Sequence, residues 1–139
     1  MTEDTNPATL ILDPGEDGVV GAMTLRNVGD APVRLEVGGD GPVLRRKMMI
    51  DKSQATSPGL RIYHMVQCMY LDPASFQQAY KPFLDAAREL VGEVPSTGMI
   101  MADIGEFLAA GDFRSALEQC MELLRYEALL EEKATQGKK

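Results

Sequence analysis

The apolar residues of this chain keep two different periods, and the period changes once, at "DKSQATSPG" (residues 51–59). Before that point the apolar runs are short: "ATLIL", "VVGAMTLRN", "VRLEV" and "PVLRRKMMI". They are separated by the clusters "DPGEDG", "VGDAP" and "GGDG". Gly, Pro and Asp supply the backbone angles that turns need. "VRLEV" alternates apolar and charged residues, the mark of a half-buried strand. Short strands at roughly ten-residue spacing predict a small antiparallel sheet, a partial barrel or a sandwich. So few strands need a further layer over one face.

After the change the spacing is helical. Thr56 or Ser57 is placed to cap a helix whose first turn holds Pro58. Ile62, Val66 and Met69 then share a face, with Met65 beside them. "PASFQQAYKPFLDAARELVG" reads as a second helix with Phe76, Tyr80, Phe83, Leu84, Ala87 and Val91 on its apolar side. Its interior Pro82 removes an amide donor, so a kink or a split is expected there. Ser96 or Thr97 in "VPSTG" is a possible cap for "MIMADIGEFLAAG", which Gly111 closes. Asp112 can cap the last helix, "FRSALEQCMELLRYEALLEEK", and "ATQGKK" reads as a frayed tail. The expected fold is α+β: a small N-terminal antiparallel β module with its connector over residues 1–57, then a C-terminal bundle of about three or four helices over 58–139.

Charge narrows the function. With 14 cations, 21 anions and a net charge of −7, the chain is not a general nucleic-acid binder. The positive charge is nevertheless concentrated. Residues 45–61 hold Arg45, Arg46, Lys47, Lys52 and Arg61 against Asp51 alone. On one extended strand Arg45 and Arg46 point to opposite faces. Two readings stand: cations protecting a sheet edge against aggregation, or a site for anions or RNA, since the arginine fork matches phosphate. Aromatic stacking completes most RNA sites, and Tyr63 lies close by in sequence.

Catalytic chemistry has little support. His64 is the only histidine, and no nucleophile or paired acid can be set beside it. "DPGEDG" lacks the ligand order of a calcium loop, and no phosphate-loop motif occurs. Cys68 and Cys120 have no metal-site spacing and are expected as buried free thiols in a reducing compartment. The expectation is a non-enzyme with no cofactor and no metal. The acidic start has no signal-peptide core, and no run is long enough to cross a bilayer, so a cytoplasmic protein with no membrane partner is expected. Nine methionines are many for this length. Met fills cores and also lines adaptable binding surfaces. Met65, Met69 and Tyr70 form one candidate partner-binding face, and Met99 and Met101 are further candidates for such a groove.

"VLRRKMMIDKSQATSPGLRIYHMVQCMYLDP" resembles the central block of the FlbT family of flagellar biosynthesis repressors, kept here by Leu44, Arg45, Lys47, Pro58, Arg61, Ile62, Tyr63, Met69, Tyr70, Leu71 and Asp72. Pro14, Gly15 and Glu16 resemble that family's early turn, and "FRSALEQCMELLRYE" its closing helix. The resemblance implies a bacterial regulator that acts after transcription on the 5′ untranslated region of flagellin mRNA, in a circuit with the protein FlaF. The RNA contacts it points to are Arg45, Arg46, Lys47, Lys52 and Arg61, with Tyr63 for stacking. Arg46 and Met48 depart from the family pattern toward less acid, whereas Ser115, Glu118 and Met121 replace cations in the closing helix. Any RNA site is thereby moved toward residues 45–61. The alternative is a protein-interaction adaptor or chaperone-like partner of FlaF or flagellin with no RNA contact. Homo-oligomerisation through a sheet edge or helix face is compatible with either.

Overall fold

The computed structural model describes residues 8–39 and 41–136. The chain divides into two compact units, residues 1–50 and 51–139. The architecture is α+β, with small antiparallel sheets first and four helices after them.

Among the described residues the first unit has five strands: β1 (Ala8–Leu12), β2 (Asp17–Val20), β3 (Met23–Arg26), β4 (Val33–Val37) and β5 (Val43–Arg45). β1 pairs with β4, and β2 stands between β3 and β5, all antiparallel. "VVGAMTLRN" is therefore not one strand but a hairpin. Gly21, at φ +61°, takes the first turn position, where the backbone must enter a region that side chains disfavour. Alternation along β1 turns Leu10 and Leu12 inward and leaves Ile11 exposed. The two inward leucines lie over Gly18 of β2. A Cβ there would stand 3.0 Å from Leu10 Cδ2 and 3.2 Å from Leu12 Cδ2, so a side chain would push both leucines back by a few tenths of an ångström.

Leu44 of β5 completes the small core, and the side chain of Asn27 pins it from one end. The Asn27 amide donates to the carbonyls of Leu12 (3.0 Å) and Ala31 (2.8 Å), and its oxygen accepts from the Gly29 N–H (2.9 Å). β5 ends at Arg45, and Arg46–Met48 form a 3-10 turn. Arg45 and Arg46 thus do not alternate on one strand as expected from sequence, because the extended backbone stops between them.

The second unit holds α1 (Pro58–Leu71), α2 (Phe76–Glu93), α3 (Gly98–Ala109) and α4 (Phe113–Gln136). The Ser57 hydroxyl accepts the Leu60 N–H at 3.1 Å and caps α1, and Asp112 accepts the Ser115 N–H at 3.2 Å at the start of α4. Neither Ser96 nor Thr97 caps α3: the Thr97 hydroxyl donates to the Val94 carbonyl, and Ser96 meets Tyr126. α2 runs through Pro82 without splitting. The buried Phe83 and Leu90 anchor the helix on the core after the missing amide donor, and tertiary packing outweighs the local defect. α4 continues through Ala134–Gln136, where a frayed tail was expected; residues 137–139 lie outside the described residues.

The core of this unit follows the predicted stripe on α1, whereas of the predicted α2 stripe only Phe83 is enclosed, joined by Leu90, and Phe76, Tyr80, Leu84, Ala87 and Val91 are half-buried. Ile62, Val66 and Met69 of α1 are enclosed, as are Met101, Ile104 and Leu108 of α3 and Ala116, Leu117, Cys120 and Leu123 of α4. Both α1 and α3 pack on α4. Burial pushes the Cys120 thiol pKa well up. Cys68 is exposed rather than buried, since it lies on the side of α1 opposite the Ile62 stripe. Among the described residues no helix is long and apolar enough to cross a membrane.

Candidate functional site

The cation run of β5 lies over the turn that joins β1 to β2. Arg45 reaches across the β2–β5 ladder to Glu16, donating from Nε to Oε2 (2.9 Å) and from Nη2 to Oε1 (2.6 Å). This is the two-bond fork that a guanidinium forms with a carboxylate. Glu16 also accepts the Asp13 N–H at 2.8 Å and so closes its own turn. The Arg45 hydrogen bonds, then the Asp13 amide, hold the Glu16 carboxyl at about 2, far below its ordinary 4.5.

A second fork lies alongside. Arg26 donates from Nε to Asp17 Oδ1 (2.7 Å) and from Nη2 to Oδ2 (3.2 Å), because the β2–β3 register sets these residues opposite each other. It lowers the Asp17 pKa. Arg46 Nε lies 3.5 Å from Asp17 Oδ2, and Lys47 Nζ lies 3.7 Å from Asp13 and 3.9 Å from Glu16.

Four cations thus surround three carboxylates, and most of the positive charge that stands out in sequence is already answered. The two roles differ by position. Arg45 is mostly covered, at 26% side-chain exposure, and clamps the turn. Arg26, Arg46 and Lys47 are at least half exposed, and among the described residues the ion pairs of Arg46 and Lys47 are long. An incoming anion would meet these three side chains, with exposed Asp13 the carboxylate most easily displaced.

The other predicted residues lie in the helical unit. Lys52 is exposed at the start of a 3-10 turn capped by Asp51. Arg61 is exposed on α1 and lines a small pocket with Glu89 and Glu93 of α2, an acidic neighbourhood. Tyr63 is 2% exposed, so its ring faces are covered by core and have no room for a stacked base. Met69 and Tyr70 are likewise enclosed, and Met65 is half-buried. Met101 is buried, and Met99 stands out at 82% exposure. Sequence reasoning missed Arg26, Asp13, Glu16 and Asp17. The available signal was the match between two short blocks of opposite charge, "DPGED" and "RRK". Among the described residues no group of His, Cys, Asp or Glu could hold a metal ion.

The model of a family described as "Flagellar protein FlbT" matches residues 9–130, which takes in both units. The chain belongs to the FlbT family. It is 32% identical over 123 residues to the probable flagellum biosynthesis repressor protein FlbT of Caulobacter sp. strain K31, covering 87% of this chain and 93% of that protein. It is 31% identical over 124 residues to the flagellum biosynthesis repressor protein FlbT of Caulobacter vibrioides strain CB 15, covering 87% and 86%. A relative from Bradyrhizobium diazoefficiens, a probable flagellum biosynthesis repressor, is 31% identical over 120 residues, covering 86% and 81%. FlbT is a family of regulators rather than of enzymes. No solved structure matches the chain. In this FlbT family member the Glu16–Arg45 fork ties the early turn to the central block, two of the segments on which the sequence resemblance rests.

Proposed function

We propose that this protein represses flagellum biosynthesis after transcription, by binding the 5′ untranslated region of flagellin mRNA and controlling its translation or decay. The observation that carries the reading is the exposed set Arg26, Arg46 and Lys47 at a site that holds, among the described residues, one more cation than carboxylate. RNA phosphates would compete with Asp13 for Lys47 and with Asp17 for Arg46, while Arg45 stays on Glu16 and keeps the turn in shape.

The test is a gel-shift series with purified protein and flagellin leader RNA at several salt concentrations. The Arg46→Ala, Lys47→Ala double variant is expected to bind at least about tenfold more weakly, with a salt slope shallower by about 2. Unchanged affinity and slope would remove this site. Arg45→Ala is a folding control, because it breaks the clamp.

The pairing of every cation in the β5 run with a carboxylate favours a second reading: an adaptor that binds a protein such as FlaF or flagellin. A FlaF or flagellin complex that survives RNase treatment supports the adaptor, and one that dissolves supports RNA.

A further inference from the structure

α4 is twice the length of α3, 24 residues against 12. The Tyr126 hydroxyl meets Ser96 Oγ at 2.5 Å, so the start of α3 is level with Tyr126. Beyond that point α4 runs on for about 15 Å without α3 beside it, at about 1.5 Å per residue. An open groove of about 350 Å³ lies before that overhang, where α3 and α4 run together, lined by Ile100 of α3 and by Gln119, Glu122, Arg125, Tyr126 and Leu129 of α4. Gln119, Glu122, Tyr126 and Leu129 are spaced three or four residues apart and form one face of the helix. The apolar floor is Ile100, the Tyr126 ring and Leu129, which is 46% exposed. Met99, at the same end of α3, is almost fully exposed.

The rim has a definite sign. Exposed Asp103, Glu118 and Glu132 each stand one helical turn from a lining residue, and Glu122 lines the groove itself. Against these four carboxylates stand two cations, Arg125, which lines the groove and is held by Glu122, and Lys133, one turn beyond Leu129, so the rim is net negative. An apolar floor with a net negative rim disfavours nucleic acid and anionic surfaces. It suits a cationic partner with an apolar stripe. The groove runs along helix edges, the geometry of helix-in-groove recognition.

We propose that this α3–α4 groove docks a short amphipathic helix of a protein partner, with apolar residues at i, i+3 or i+4 and i+7 and with Lys or Arg along its flanks. The proposal rests on the adaptor reading and is independent of the RNA site. Its test uses neither RNA nor a flagellar protein, so its failure is separate from the failure of either reading.

The full chain is titrated with a fluorescent helical peptide of Leu and Lys, about 14 residues long, enough for about four turns. Two control peptides replace every Lys with Glu or every Leu with Ser. The Leu/Lys peptide is expected to bind at least about tenfold more tightly than either control. Ile100→Gln with Leu129→Gln is expected to remove that advantage. Leu129→Gln alone, at an exposed position, is the second variant should Ile100→Gln disturb folding. Equal binding of the Leu/Lys and Leu/Ser peptides, or binding untouched by Leu129→Gln, overturns the proposal. So does a dimer of this chain that Leu129→Gln converts to monomer, since the groove's occupant is then a second copy.

Discussion

Among the described residues the β module encloses three apolar side chains, Leu10, Leu12 and Leu44, whereas the helical unit encloses fourteen. The difference shows in how each is held. A module of about fifty residues has too little interior for a self-sufficient core. This one adds polar clamps: the Asn27 side chain on three backbone groups, the Glu16–Arg45 fork and the Asp17–Arg26 fork. The helical unit is held by stripes of Leu, Ile, Val, Met and aromatic residues, and its surface ion pairs lie within single helices. The charged forks respond to acid and salt; apolar packing responds to pH only where it buries an ionisable group. The candidate RNA site is built on the clamped unit and the candidate docking groove on the packed one.

The contrast can be broken most forcefully from the core side. Leu108→Ala is expected to cost about 2–5 kcal/mol, the range for truncating an enclosed leucine. Denaturant unfolding followed by the helical circular dichroism signal measures it, and a cost below about 1 kcal/mol would mean that the α3–α4 packing is loose.

On the clamp side Asn27→Ala is expected to cost about 2 kcal/mol, because the Leu12 and Ala31 carbonyls and the Gly29 N–H lose their partner together. Amide exchange should report the loss in β1 and β3 and leave α1–α4 unchanged. Equal loss in both units would show that they do not hold themselves independently.

The smallest effect sharpens the comparison through pH. Glu16 has a lowered pKa, so its contribution is fully present above its ordinary 4.5 and is lost as pH falls toward about 2. Tyr63 is shifted the other way, from 10 to about 12, by burial. The unfolded chain ionises first, so the helical unit weakens as pH climbs from 10 through 12. Acid should therefore melt strand resonances before helical ones, and alkali the reverse. Arg45→Met should move the acid midpoint of the strands upward. A midpoint that stays in place would show that the Glu16–Arg45 fork contributes no stability.

Much of this was legible in the chain. The break at "DKSQATSPG", the Ile62–Val66–Met69 stripe, the Ser57 and Asp112 caps and the four helices follow from local periodicity and turn chemistry, which act between residues a few positions apart. The family resemblance was legible for the same reason, since it is carried by runs of residues. The misreadings were of another kind. The hairpin at Gly21 hid inside one apolar run, because a single glycine does not announce which way the chain turns. Tyr63 was a stacking candidate because it stands two residues after Arg61, yet those two helical positions rotate it about 200° into the core.

By itself, then, the sequence determined the α+β order, the helical stripes and the charge of each segment, all properties of neighbours along the chain. Only the tertiary structure decided what the charge of "RRK" meets. Arg45 and Glu16 are 29 residues apart in sequence and 2.6 Å apart in space, and no local pattern encodes a strand pairing of that separation. The same holds for the α3–α4 groove, which sets Ile100 of α3 beside Gln119, Glu122, Tyr126 and Leu129 of α4.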